Sequence, residues 1–305
     1  LYNNQLNWGK SRSNAMDIGA GFDYKIFDWL TFVSNNKVGL SNSYGENYYD
    51  PKAVGQESLQ GTIYNSNSNV RTIYTSQLLR FLKTFNDVHE INAYLGYDYD
   101  EYRYYSMTGQ ASQMFQGNEI LNGGVANPKV GGTKVEKKNA AYYFNGNYSY
   151  DNKYLFQVMF RVDGSSQFGS NKRWAPFWSV GGGWNVHNEH FLSKDSILNK
   201  LKLRFSYGVT GNQEFSAYQA KTMYEYNTGR LYNTLITASL MGYGNPDLKW
   251  QTQYQTNIGF DLGMWRDRLL VTFNYYHKLT DGMLTSVTVA PSIGLSSNAF
   301  TSNLG

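Results

Sequence analysis

Residues 200–213 read KLKLRFSYGVTGNQ, and the alternation in this stretch constrains the fold more than any other feature of the chain. Leu201, Leu203, Phe205, Tyr207 and Val209 are apolar or aromatic; Lys202, Arg204, Ser206, Gly208 and Thr210 stand between them. Successive side chains of an extended strand point to opposite faces, so one face here is greasy and the other cationic or small. A helix would scatter the same residues around its circumference. Two environments suit such a strand: a half-buried sheet packed on a second layer, or a membrane barrel with lipid outside and water inside.

The same period recurs. Its apolar series are Ile18 to Ile26, Ile91 to Tyr99, Tyr142 to Tyr150, Tyr154 to Val162, Trp178 to Val186, Tyr254 to Leu262 and Leu269 to Tyr275, each at every second residue. Stretches 29–40 and 71–85 read as extended but alternate poorly, which leaves the faces of Arg80 and Lys83 unassigned. That makes about ten strands.

The connections between them alternate short and long. Short turns are expected near Phe27-Asp28, Asn86-Asp87-Val88, Asp151-Asn152-Lys153 and Trp265-Arg266-Asp267, with a medium one over 188–199. Long loops are expected over 41–70, 101–139, 164–174, 212–249 and from 284 onward. Putting every long loop at one end is the habit of outer-membrane barrels. Aromatics beside the short turns (Phe27, Trp29, Phe85, Tyr150, Tyr154, Trp265) suit an interfacial girdle.

Hydropathy alone would miss this. No apolar run approaches the roughly 18–20 residues of a spanning helix, and mean hydropathy is −0.53. Barrel strands are greasy only at alternate positions, so a window average cannot exclude them. A net charge of +4 without a Lys/Arg block gives no case for nucleic acid. The absence of cysteine excludes disulfides, thiolate catalysis and Cys-based zinc sites. No repeat or linker divides the chain, so residues 1–305 are expected to be one domain. The opening LYNNQLNWGK has neither an initiator Met nor a signal peptide, which suggests an internal piece of a longer chain. Ten strands would leave two unpaired edges in lipid, at several kcal/mol per group, so further strands are expected before Leu1 or after Gly305.

Several clusters invite chemistry. His187-x-x-His190 has only Glu189 beside it, so exposed turn residues are the default over a metal site. Gly181-Gly182-Gly183 lacks the Lys-Ser or Lys-Thr of a phosphate loop and reads as strand, its small residues expected to let the barrel bend or a plug approach closely. Asp98, Asp100 and Glu101 suit a solvated wall, with a calcium site or a catalytic carboxylate pair as the other readings. Asp98, Asp100, Arg161, Asp163, Lys202, Arg204, Asn257 and Asp261 share the polar parity of their strands and are expected to face a wet lumen. The aromatics Tyr44, Tyr48, Tyr49, Trp174, Tyr218, Tyr224 and Tyr226 fall in expected loops, where they would stack on sugar rings, meet a lid protein or fold the loops themselves.

Four stretches taken together, RVDGSSQFGSNKRWAPFWSVGGGWNV at 161–186, LKLRFSYGVTGNQ at 201–213, NPDLKWQTQYQTNIGFDLG at 245–263 and WRDRLLVTFNYY at 265–276, resemble the C-terminal barrel half of SusC/RagA-like TonB-dependent transporters. Each piece is weak alone; their order and spacing are specific. Residues 89–99 and 142–163 also resemble the family, while Ala175-Pro176-Phe177-Trp178 is a variant of its usual pattern. The resemblance implies an all-β, antiparallel up-and-down transmembrane barrel of about 22 strands, of which this chain holds about ten. It implies the outer membrane of a Gram-negative bacterium, with a plug and TonB box outside this segment. The implied partners are TonB, outer-membrane lipid and a SusD-like surface lipoprotein acting as a lid, with pairing of two such complexes left open. The implied cargo is an oligosaccharide or a peptide, with no covalent chemistry and no required cofactor. From the residues themselves, a passive porin-like channel and a soluble β-rich carbohydrate-binding or glycan-cleaving protein stay open.

Overall fold

The computed structural model describes residues 6–56, 58–115, 117–192, 197–212, 217–233, 235–293 and 299–304. Ten strands form one sheet: β1 (Trp8–Phe27), β2 (Leu30–Tyr49), β3 (Thr62–Phe85), β4 (His89–Met114), β5 (Gly124–Tyr150), β6 (Tyr154–Ser165), β7 (Trp174–Asn185), β8 (Leu198–Asn212), β11 (Gln251–Met264) and β12 (Leu269–Asp281). They lie side by side in chain order, interrupted only where the hairpin β9 (Met223–Tyr232) and β10 (Leu235–Gly242) is inserted between β8 and β11. A second hairpin pairs β13 (Met283–Thr288) with β14 (Ala299–Leu304).

From β5 to β12 the antiparallel register explains the alternation residue by residue. One cross-strand row reads Tyr148, Phe156, Gly182, Phe205, Ile258, Tyr275; the next reads Tyr150, Tyr154, Trp184, Leu203, Phe260, Phe273. The row between them, on the opposite face, reads Ser149, Leu155, Gly183, Arg204, Gly259, Asn274. Phe156 and Phe205 are exposed, Leu203 too, and Val158 and Trp184 are half-buried. Among the described residues none of these five is enclosed by a second protein layer, which is what a water-facing sandwich would require. The apolar series of β6, Tyr154 to Val162, spans about 27 Å along the strand, or about 21 Å at a barrel tilt near 40°. An outer-membrane apolar band is about 25 Å tall.

The short turns are where the alternation placed them. Asn86 and Asp87 have φ of 49° and 60°, and Asp151 and Asn152 have 47° and 52°. Two successive left-handed residues match the twist of paired strands, and Asn and Asp tolerate that region best. The turn at Trp265, Arg266 and Asp267 uses three positive φ values with side chains less suited to them.

Aromatics do crowd these turns. Phe27 stacks on Trp29 at 5.0 Å, and Trp29 meets Phe81 edge-on at 5.3 Å. The Lys83 ammonium lies over both Trp29 and Phe85, which settles its face: it is on the aromatic side, stem against rings, in the manner of a snorkelling lysine. By alternation Arg80 is on the polar side.

Tyr150, Tyr154 and Trp184 form a stacked run, and the turn residue Glu189 ties it down, accepting from the Tyr154 hydroxyl at 2.7 Å and the Trp184 indole N–H at 3.0 Å. These two donors, Tyr154 first, hold the Glu189 carboxyl below its ordinary range. A depressed carboxyl contributes stability above its unfolded pKa and loses it as pH falls through the folded one. Acidification below the ordinary carboxylate range is therefore expected to loosen Trp184. The check is a pH titration of tryptophan emission, in which the acid transition should vanish in both Trp184→Phe and Glu189→Gln.

The long loops are the main correction. Residues 41–49 and 62–70 extend β2 and β3, and 101–114 and 124–139 extend β4 and β5, so the real connections are only 50–61 and 115–123. Spans 212–249 and 284 onward contain the two hairpins rather than structureless chain. The described chain divides into two compact units. The first holds Leu1–Ala20, Asn36–Thr75 and Asp100–Lys137, and the second holds Gly21–Asn35, Ser76–Tyr99 and Lys138–Gly305. Each unit has its own small core: Tyr48, Ile63, Ala111 and Met114 in the first; Phe168, Phe177, Val209 and Trp250 in the second.

Candidate functional site

The polar face of the second unit is a hydrogen-bonded wall. Asp98 accepts from Ser76 Oγ at 2.8 Å and lies 3.6 Å from Arg161 Nη1. Arg161 also donates through Nε to Asp163 at 2.7 Å and lies over the Tyr143 ring. The arginine thus bridges two carboxylates on neighbouring rows of one face. Further along, Arg204 Nη2 contacts Asp261 and Asn274, each at 3.0 Å, and Thr272 Oγ1 donates to the same Asp261 oxygen. Gln255, Asn257 and Ser206 continue the chain of amides and hydroxyls. Lys202 faces Asp261 across the ladder. These groups are partly exposed, so each ion pair contributes little to stability and chiefly fixes where its charges sit.

Seven of the eight residues expected on a wet wall are therefore on this face. Asp100 is exposed and belongs to the first unit, at the start of its part of β4. Glu101 departs from the carboxylate-cluster reading: it is nearly buried and paired with Arg71 and Arg103. Among the described residues no group of three or more His, Asp or Glu side chains is placed to hold a metal ion. His187 Nδ1 meets the Leu201 carbonyl at 3.0 Å, and His190 is exposed.

Gly181 and Gly183 lie on the polar face and Gly182 on the apolar one, all three in β7, in line with the strand reading. A depression of about 540 Å3 lies over them, bordered by Asn147, Lys202, Arg204, Ser206 and Asn257. The absence of Cβ atoms on this patch leaves room for another backbone or a solute to approach closely.

The aromatics expected in loops need correction. Tyr44, Tyr48 and Tyr49 are in β2, Tyr224 and Tyr226 in β9, and Trp174 opens β7. Tyr48 is only 2% exposed, stacked on Trp8 at 5.7 Å beside Ile63 and Met114. It is a core residue, because the 115–123 connection brings Leu121 over it. Trp174 stacks on Tyr142 and so lies on the apolar face, at the strand ends opposite the short turns. Tyr218 is in a turn with φ of 72° beneath the Lys221 ammonium. Tyr49, Tyr224 and Tyr226 are exposed, the last at 74%.

The sequence stretches that looked most distinctive prove to be partners. Phe168 from the 164–174 segment stacks on Trp250 at 4.3 Å, and Leu248 is fully buried. Gly169 N–H donates to the Leu248 carbonyl and Asn171 N–H to that of Pro246, each at 3.1 Å. Asn171 Nδ2 also reaches Asp247 at 3.0 Å. A Cβ on Gly169 would sit 2.0 Å from the Pro246 oxygen, so only glycine fits. GSSQFGSN and NPDLKW are two halves of one clasp at the ends of β6, β7, β8 and β11. The Thr210-Gly211-Asn212 end of β8 lies alongside; Gln213, the last residue of that stretch, is outside the described residues.

Comparison with known proteins agrees with this geometry. The family described as TonB dependent receptor-like, beta-barrel, matches residues 1–305. TonB-dependent receptor P39 of Formosa agariphila is 29% identical over 291 residues, covering 90% of this chain and 27% of the relative. TonB-dependent receptor SusC of Bacteroides thetaiotaomicron is 34% identical over 171 residues, covering 54% of this chain and 17% of the relative. The chain thus spans about a quarter or less of the length of these two relatives. In fold, the solved RagAB peptide transporter superposes with a TM-score of 0.89 at 24% identity, over 100% of this chain and 34% of that one. With the family matched from the first residue to the last, the chain belongs to the TonB-dependent receptor-like β-barrel family.

Proposed function

We propose that this chain is part of the wall of a Gram-negative outer-membrane transporter that imports oligosaccharides or peptides. The observation that carries the reading is the two-faced sheet: exposed rows such as Tyr148, Phe156, Phe205 and Ile258 on one side, and the Arg161 and Arg204 networks on the other. Hydrocarbon accepts the first face and a wet interior the second. The polar wall supplies donors and acceptors for water, for a plug and for passing solute. Energy comes from TonB acting on a plug encoded elsewhere in the protein, and a SusD-like lipoprotein covers the end that bears the long connections. The peptide half of this reading draws on the RagAB peptide transporter, similar in fold; the oligosaccharide half rests on the resemblance to SusC-like transporters.

Of the seven candidate aromatics, Tyr44, Tyr49, Trp174, Tyr224 and Tyr226 are exposed; Tyr224 and Tyr226, the most exposed, are the proposed contacts for cargo or lid. The test is uptake of labelled oligosaccharide and labelled peptide by cells carrying the full-length protein, with and without TonB. Uptake of one class that stops without TonB is the expected result; uptake that persists would mean a passive channel. Replacing Tyr224 and Tyr226 by alanine is expected to lower uptake or lipoprotein co-purification several-fold, since a stacked aromatic contributes about 0.5–1.5 kcal/mol. Heat-modifiable gel migration should be unchanged.

A further inference from the structure

The outer half of β5 has a free edge. The strand runs from Gly124 to Tyr150, but its ladder with β6 covers only Asn139–Tyr150. Among the described residues β6 is the strand on that side of β5, so no ladder covers 124–138 there. The direction of the backbone follows from where the pairing stops. Lys138 N–H donates to Ser166 Oγ, and Ser166 N–H to the Lys138 carbonyl, each at 2.9 Å. Backbone groups of successive strand residues point to opposite sides, so those of Val130, Gly132, Lys134 and Glu136 point out from the sheet edge. Pro128, which lacks an N–H, and Asn127, with φ of 48°, end this regular run. Residues 127–134 are all exposed, Val130 at 91%.

This edge is basic. Lys129, Lys134, Lys137 and Lys138 share the run with a single carboxylate, Glu136, which Arg103 already holds at 3.1 Å. Lys134 and Lys138 flank one face of the edge, Lys129 and Lys137 the other. Lysines on an edge strand keep neutral and basic strands from adding to it. A second copy of this chain is turned away in the same manner. Antiparallel pairing about Gly131-Gly132 would set Lys129 opposite Lys134 twice over, and like charges directly opposite destabilise a ladder. The class of strand that these charges admit is an acidic one.

We propose that Lys129–Lys138 captures acidic peptides in extended form, each adding to the sheet as a further strand. The edge supplies hydrogen bonds to any backbone, and the lysines on both faces select carboxylate side chains. Its repeat of donors and acceptors matches a polypeptide; a sugar chain has no such repeat. The site is one strand wide and about 33 Å long, small against the roughly 800 Å2 that each partner buries in a stable protein–protein interface. It therefore suits a free peptide of about eight to ten residues rather than a docked protein. The inference deepens the peptide half of the import reading above and rests on it.

The test is fluorescence anisotropy of labelled decapeptides on the full-length protein in detergent. One peptide alternates Glu and Thr, one alternates Gln and Thr, and one repeats the first with its backbone amides N-methylated. The first is expected to bind at least about tenfold tighter than either of the others, equivalent to ~1.4 kcal/mol. Combined Lys129→Gln, Lys134→Gln and Lys137→Gln should abolish the preference for Glu over Gln. Val130→Pro should weaken binding several-fold; it deletes an N–H that points away from the sheet and so spares the fold, which retained heat-modifiable migration checks. Equal binding of the three peptides, or unchanged binding by both variants, would overturn the proposal. So would a dimer or a co-purifying protein that is lost on Val130→Pro, since the edge would then belong to a folded partner. Uptake of the Glu–Thr peptide that needs TonB yet is equal in wild type and variants sinks this site and keeps the import reading. Binding that follows the variants, with uptake that persists without TonB, keeps the site and sinks active import.

Discussion

Arginine in place of Phe205 is expected to destabilise the folded protein in a bilayer by about 2–4 kcal/mol, the cost of a cation on the lipid face near the midplane. Phe205 is central in β8, 49% exposed, and flanked in its row by Gly182 and Ile258. Gly182 offers no side chain for the guanidinium to lie against, so it must cross greasy surface to reach water. The control is the next residue. Ser206→Arg points to the face that holds Asn257, with Gly181 beside it in the ladder, and should cost less than about 1 kcal/mol because lumen-type positions tolerate charge. Urea unfolding of both variants in lipid, followed by heat-modifiable migration, measures the difference. Equal losses would mean that both faces meet the same medium, and the membrane reading would fall with them.

Leu248→Ala is expected to open the clasp between the 164–174 and 245–250 segments. Leu248 is fully buried, and removing such a side chain costs about 2–5 kcal/mol. Trp250→Ala should act alike, since its ring is packed between Phe168 and Phe177. Gly169→Ala should do as much without removing anything, because its methyl group collides with backbone rather than with a side chain able to rotate. The clasp is local to the strand ends, so the sheet should survive. Limited proteolysis is therefore the informative readout: cleavage is expected within 165–250 in all three variants while heat-modifiable migration is retained. Resistance to protease would show that the two segments are held by something other than this core.

The strands with clean series, such as β6 and β8, were legible because a sheet between two media, as proposed, must alternate; β2 and β3 alternate poorly over 29–40 and 71–85 and were legible only as extended chain. The outer parts of β2 to β5 were not, for the same reason inverted. Once a strand leaves the apolar band it can be polar on both sides, and stretches such as Ser41–Tyr49 or Asn65–Asn69 then read as loop. The Arg161 and Arg204 networks followed from parity. Tyr48 did not, since its burial depends on a connection some seventy residues away folding over it. The clasp was visible only as two unexplained motifs; what joins Phe168 to Trp250 is an encounter across about eighty residues that no local pattern encodes. Glu101 looked like one of several carboxylates until the arginines on adjacent strands came to bracket it.

The strict spacing of charge in β8 has a consequence for biosynthesis. A chain destined for an outer membrane must first be threaded through an inner one without lodging there. Lys200, Lys202 and Arg204 would each cost about 2.5–3.5 kcal/mol at the centre of a retained helix, against only some 0.3–0.6 kcal/mol gained per Leu, Phe or Val. Read as a helix by the secretion channel, the segment would therefore be rejected by the first bilayer and passed on. Folded as a strand of the proposed barrel, it would present only its greasy half to the second.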